Sequence, residues 1–481
     1  MSAFTGLDLV VLVSYLVGVT VWGAWLGRNQ TGGTDYFLGN RSLPWFAVML
    51  SVVATETSTL TFLSIPGVAY TGSLVFLQLT LGYLLGRILV SAVLLPAYYA
   101  GSLTTAYALL ERRFGLGVRR FTSAIFMVTR LLADSVRLFA TAIPLALITG
   151  WPYPASIAVI GVLTLIYTYL GGIKAVVWVD AVQMGLYLLG ALATIVAIQI
   201  LVPGGWSTVL ASSRDAGKLD VIDLSWNLST TYTLWAGVLG GAVFTMASHG
   251  TDQLIVQRLL TCRDMRSSQK ALIGSGFAVM AQFLVFLLVG LGLWAFYGGR
   301  SFESSDEIFA RFIVEQLPPG ITGLLIAGVF AAAMSSLSSS INSLASAAAY
   351  DYWAPMVGAQ DDEARLLRAG RAFSLLWAAL LIAGATLFIP LSRGTAAVEV
   401  ALGIASLVYG GLLGAFALGV LTKRPGQAAA IVGMASGIGG VTLLRDQMAW
   451  PWYALVGSVI TFVVGSAMGH FGPVRTEARE G

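Results

Sequence analysis

Charge is what this chain has least of. Only 10% of its 481 residues are Asp, Glu, Lys or Arg, against 57% that are hydrophobic. An ordinary soluble domain carries about a quarter charged residues, so a water-dispersed globule is excluded. Histidine is nearly absent as well: His249 and His470 are too few and too far apart for a metal centre or a catalytic triad, and His249 reads as a residue that caps or packs beside its span. The single cysteine, Cys262, excludes an internal disulfide and supplies no metal-ligand set. Neither HExxH nor GxSxG occurs, and with no nucleophile–base pair the chain reads as a non-enzyme. No basic stretch precedes the first apolar run, and that run is too long for a signal-peptide core, so it is expected to stay as a helix.

What is abundant is apolar sequence in runs of about 20 residues, the length that crosses a ~30 Å hydrocarbon core. The runs lack the polar–apolar alternation of barrel strands, and in lipid each segment must satisfy its own backbone. The fold class is therefore an all-α polytopic membrane protein. About thirteen spans are expected, near 7–27, 44–71, 73–99, 121–149, 154–171, 174–202, 231–249, 271–298, 320–349, 368–391, 396–421, 427–444 and 451–469. With the N-terminus outside, eighteen of the 27 basic residues fall in cytoplasmic loops and ends, six on the other side and three within spans. Positive loops stay inside, which predicts N-out, C-in. The net charge of +4 then follows from topology and implies no nucleic-acid partner. The loop 301–317 has the pattern of a short amphipathic surface helix.

Three stretches are polar where a plain anchor would not be. Residues 51–66, SVVATETSTLTFLSIP, place Glu56 among Ser51, Thr55, Thr57, Ser58, Thr59 and Thr61. A carboxylate at bilayer depth costs several kcal/mol unless it meets a partner or a cavity, so this cluster reads as functional, the alternative being a hydroxyl-lined helix contact with Glu56 protonated. The seventh span is interrupted too, by Gly240, Gly241, Ser248, His249 and Gly250. Broken helices at matching places in two halves point to a transporter built from inverted repeats with its site near the midplane. Residues 44–202 and 231–421 would be the two five-helix repeats of one transporter domain spanning 1–481, with 7–27 an extra N-terminal helix and 427–469 two C-terminal ones. In the ninth span Ser335, Ser338 and Ser339 share one helical face, and Ser336 and Ser340 the next. Hydroxyls and exposed carbonyls suit a weakly held monovalent cation; small residues for close helix packing are the alternative. Asp180, at the start of the sixth span, is placed to snorkel, to cap a helix end or to complete a second cation site.

These stretches, together with GGIKAVVWVDAVQ and GTDQLIVQRLLTCRD, make nearly the whole chain resemble the sodium:solute symporters, the family of the bacterial proline and sialic acid symporters and the sodium–glucose cotransporters. The resemblance implies the LeuT-like 5+5 inverted repeat. It also implies a sodium ion held by backbone oxygens of Ala54, Thr57 and Ala332 and by the hydroxyls of Ser335 and Ser336. A second sodium in some relatives corresponds to Asp180, Ser338 and Ser339. Cargo contacts correspond to Ser58, Thr61 and Gln78, with Arg137 near a carboxylate-binding position and Glu399 near a polar contact of sugar carriers. Asp134, three residues before Arg137 and four after Arg130, offers a self-neutralising alternative for that arginine. Glu56 stands where the sugar and sialic acid branches have an amide and the proline symporters an acid, and it is expected to tune cation binding or meet cargo. The function implied is sodium-coupled import of a small polar solute (sugar, sugar acid, carboxylate or amino acid) by alternating access in the cell (inner) membrane. A transporter-like sensor and a proton-coupled carrier are the alternatives. The short tail FGPVRTEAREG speaks against an attached signalling domain.

Overall fold

A computed structural model describes residues 4–101, 103–302, 305–389 and 397–471, and these residues form helices joined mostly by short connections, with a longer non-helical stretch over 216–233. In chain order the principal helices are α1 (Gly6–Leu26), α2 (Trp45–Glu56), α3 (Thr59–Thr71), α4 (Leu77–Tyr99), α5 (Leu116–Thr149) and α6 (Tyr153–Leu201). They continue as α7 (Gly241–Gly250), α8 (Gln253–Leu259), α9 (Met265–Tyr297), α10 (Ser305–Gln316) and α11 (Ile321–Ala347). The series ends with α12 (Glu363–Phe388), α13 (Ala397–Leu421), α14 (Gln427–Leu444) and α15 (Pro451–Phe471).

Among the described residues nine helices are long and apolar enough to cross a membrane, and the bent pair α2–α3 makes a tenth span. The described residues of the thirteen expected segments are mainly helical, and the pattern departs from the expectation in two places. The fifth and sixth run together as the 49-residue α6, which turns at Gly172 with φ 53°, a left-handed value that glycine adopts freely. The fourth is the 34-residue α5, which carries Arg119, Arg120, Arg130, Asp134 and Arg137. The seventh is divided: a π-helical turn over Ala236–Gly240 leads into the ten-residue α7, and the chain breaks at Thr251 and Asp252 before α8.

Burial sorts the helices. In the apolar window of α1 22% of residues are buried; in that of α11 the share is 89%. The hydroxyl-rich helix is thus the axis of the molecule, with α6 its most extensive neighbour and α1, α5, α12 and α2 around it. Its Ala, Gly and Ser side chains permit that close approach on every side, as small residues do in membranes. The expected surface helix 301–317 is present as α10, but it is not loose: Ile308, Phe309, Phe312 and Ile313 are buried, and Phe309 stacks on Phe62 of α3 with ring centroids 5.4 Å apart. Short helices at Gly33–Leu38, Ala108–Phe114 and Gly205–Asp215 had no counterpart in the hydropathy pattern.

Candidate cargo and cation site

The polar stretch of the second span is where the helix breaks. α2 ends at Glu56, Thr57 turns extended (φ −81°, ψ 98°), and Ser58 caps α3 by accepting the Thr61 N–H at 3.4 Å. The two pieces are bent by 63°. Serine at an N-cap satisfies a donor the helix cannot. At the other side of the break the last carbonyls of α2 have no onward helical N–H groups, so backbone oxygens are open there.

The break lies against the serine helix. From α2, Thr55 Oγ1 is 3.1 Å from Ser339 Oγ; from α3, Thr59 Oγ1 donates to the Val329 carbonyl at 3.1 Å. Each piece of the broken span is therefore pinned separately to α11, the helix that carries Ala332, Ser335 and Ser336. Ser335 and Ser336 are buried, with Ser336 Oγ donating to Ala332 O at 3.2 Å. The oxygens gathered here are hard and uncharged, a set that fits a small monovalent cation.

Asp180 meets the same helix through Ser335, one of those two serines. It is wholly buried within α6, so neither snorkelling nor capping applies. Its Oδ1 accepts from Ser335 Oγ at 2.8 Å, and its Oδ2 from Ser51 Oγ at 2.6 Å and Arg258 Nη2 at 3.1 Å. Arg258 also donates to Ser339, while the Ser338 hydroxyl turns back to the Ser335 carbonyl at 3.0 Å. Asp180 and Ser339 thus come together around a guanidinium, and Ser338 joins them only through Ser335.

A cavity of about 260 Å³ extends from the break, with Glu56, Ser58, Thr61 and Arg137 in its wall. Phe76, Tyr83, Phe244, Phe283 and Trp450 make the rest of the lining largely aromatic. A second void of about 20 Å³, room for a single water, joins Ser58, Arg137 and Thr141 to Ser336. Arg137 takes the partner its sequence offers, Nη1 lying 3.1 Å from Asp134 Oδ1, and its side chain remains 23% exposed in the cavity wall. Asp134 in addition accepts from Ser340 and lies 3.7 Å from Arg130, whose own hydrogen bonds go to Asp252 and, at 2.8 Å, to Tyr409.

Glu56 is partnered rather than protonated and bare. Its Oε2 pairs with Arg87 of α4, and His249 Nε2 stands 3.6 Å away. His249 does not cap its helix; it lines the cavity and is bonded to Arg87 and Ser248. Gln78 is the sequence expectation that the structure does not bring to the cavity. Its amide nitrogen donates to Val75 O at 3.2 Å and Tyr232 O at 3.4 Å, and its oxygen accepts from Asp223 N at 2.9 Å. The side chain of Glu399 lies outside the described residues. Arg87, Arg258, Asp252 and Tyr409 are the contributors that sequence reasoning missed. An Arg inside an apolar span is itself the signal that could have flagged Arg87; Asp252 and Arg258 fall between expected spans and carried no such mark.

Residues 36–437 match the sequence profile of the sodium:solute symporter family. The chain belongs to the sodium:solute symporter family. It is 29% identical to the sodium/sialic acid symporter of Aliivibrio fischeri over 96% of this chain and 93% of that one. With the human sodium-coupled monocarboxylate transporter 1 it shares 28% identity over 91% of this chain and 72% of the relative. A solved Na+-coupled sialic acid symporter, substrate-bound and outward-open, superposes with a TM-score of 0.89 at 27% identity, covering 98% and 99% of the two chains. The fold of this symporter is LeuT-like, and its site is one for a solute carried together with sodium.

Proposed function

We propose that this symporter holds sodium between the broken span and the serine helix, with carbonyls of Ala54, Thr57 and Ala332 and the hydroxyls of Ser335 and Ser336 as ligands. One observation carries the assignment: Thr55 and Thr59, on either side of the break, are each hydrogen-bonded to α11, so an ion bridging the same two elements acts on a hinge. Sodium bound there favours the state that accepts cargo, and cargo strengthens sodium binding by the same factor, because such coupling is reciprocal. Inward movement of each ion gains about 2.3 kcal/mol per 100 mV of potential besides its gradient.

Cargo occupies the aromatic cavity, touching Ser58, Thr61 and Glu56, with Arg137 taking a carboxylate through its planar fork. Gln78 stands behind that wall as a loop anchor. A second sodium at Asp180, Ser338 and Ser339 is weaker than the first, since Arg258 already meets the single charge of Asp180. The breaks at α2–α3 and α7–α8 support two inverted repeats, 44–202 and 231–421, and the excess of basic residues in alternate loops supports an outside N-terminus in the inner membrane.

A thermal-shift panel tests this on purified protein with sialic acid, a short monocarboxylate, an amino acid and iodide, in sodium and in choline chloride. A solute that raises the midpoint in sodium and leaves it unchanged in choline supports the assignment. A solute effect of equal size in both salts refutes it.

A further inference from the structure

We propose that Arg87 sets sodium affinity: it is the counter-charge that keeps Glu56 from trapping the ion. This rests on the sodium site described above. Glu56 ends α2, immediately before Thr57 and two residues after Ala54, whose carbonyls are two of the proposed ligands. A bare carboxylate that close to an uncharged oxygen cage would add a full negative charge to the ion's surroundings, and charges at such range interact strongly where water is scarce. A carrier needs the opposite, an ion held firmly enough to order the hinge and loosely enough to leave.

Two features of Arg87 fit a charge-balancing role and not a hydrogen-bonding one. The residue is wholly buried, yet among the described residues only one of its nitrogens, Nη2, is engaged; Nε and Nη1 have no partner there. Leaving two buried donors unsatisfied is costly, so the hydrogen bonds alone do not account for an arginine at this position. The engaged nitrogen reaches both Glu56 Oε2 and His249 Nε2, the latter at 3.0 Å. A guanidinium only donates, so the imidazole nitrogen facing it accepts, and the other ring nitrogen, 2.8 Å from Ser248 Oγ, carries the hydrogen. His249 is neutral in this arrangement, and Glu56, Arg87 and His249 together sum to no charge. The other charges nearby, Arg130 with Asp252, Arg137 with Asp134 and, beside Ser335, Arg258 with Asp180, cancel likewise. An ion at the break therefore meets dipoles and no net charge.

The signature is a pair of shifts with opposite sign. Apparent sodium affinity is read on the purified full chain in detergent at pH 8, from the unfolding midpoint as NaCl replaces choline chloride at constant ionic strength, with no cargo present. E56Q leaves Arg87 uncompensated and weakens sodium binding on the order of tenfold; R87M leaves Glu56 uncompensated and tightens it by a similar factor. The double variant E56Q/R87M returns to within about threefold of wild type, since neither charge remains. Weaker sodium binding in R87M, or unchanged affinity in both single variants, overturns the proposal. Should R87M not fold, E56Q against the double variant decides: recovery supports it, and a double variant as weak as E56Q overturns it. A wild-type midpoint indifferent to sodium would instead strike the sodium site itself, which separates the two failures.

Discussion

Two carboxylates flank the serine helix, and the contrast between them is instructive. Asp180 and Glu56 are each paired with an arginine from a distant part of the chain, Arg258 and Arg87. Asp180 has no exposed surface, and both its oxygens are taken, one by Ser335 and the other by Ser51 and Arg258. Glu56 keeps 20% of its side chain exposed, and that part looks into the cavity. The same chemical pair therefore does two jobs according to how completely it is enclosed: one fastens α2, α6, α8 and α11 together, the other presents a polar face to what passes.

Breaking the enclosed pair gives the largest expected effect. D180N leaves Arg258 charged, buried and unpaired, and removing one partner of such a pair costs about 3–5 kcal/mol. Denaturant unfolding should show that loss, whereas R87M, which strands the half-open Glu56, should cost well under half as much. Equal costs would mean that enclosure does not separate the two. Next in size is the double variant S335A/S336A. It removes two neutral ligands, each worth roughly 1–1.5 kcal/mol, so sodium affinity should fall on the order of a hundredfold in the same midpoint titration. Retained affinity would move the ion away from this helix.

Arg137 sharpens the comparison from the cargo side. It is paired, like Glu56, yet open, and R137K keeps the charge while losing the fork, so affinity for a carboxylate ligand should fall about tenfold with little change for an uncharged one. Binding of a panel carboxylate by isothermal titration checks this. That Asp134 neutralises Arg137 was legible beforehand, because three-residue spacing on one helix brings side chains together wherever the helix goes. The broken span and the serine run were legible for a related reason: composition alone marks polar residues that lipid would reject. The fastening of Glu56 to Arg87 and of Asp180 to Arg258 was not. Those partners lie 31 and 78 residues apart on different helices, and only the tertiary packing decides which of several intramembrane arginines meets which acid. The continuity of α6 was hidden as well, since the Gly171–Gly172 pair reads equally as a loop or as a turn inside one long helix.

Gln78 gives the smallest effect and the sharpest use of the contrast, because it is a polar group enclosed like Asp180 but uncharged. Its donor and acceptor are spent on Val75, Tyr232 and Asp223, which ties α4 to the segment leading into the seventh span, and nothing of it reaches the cavity. Q78L therefore loses a few neutral hydrogen bonds and strands the Asp223 N–H, a cost of about 1–3 kcal/mol in stability. Affinity for sodium and for any cargo the panel identifies should stay within about threefold of wild type. If cargo binding instead collapses while the unfolding midpoint holds, Gln78 turns into the cavity when the site fills, and the outer end of α4 belongs to the moving part of the symporter.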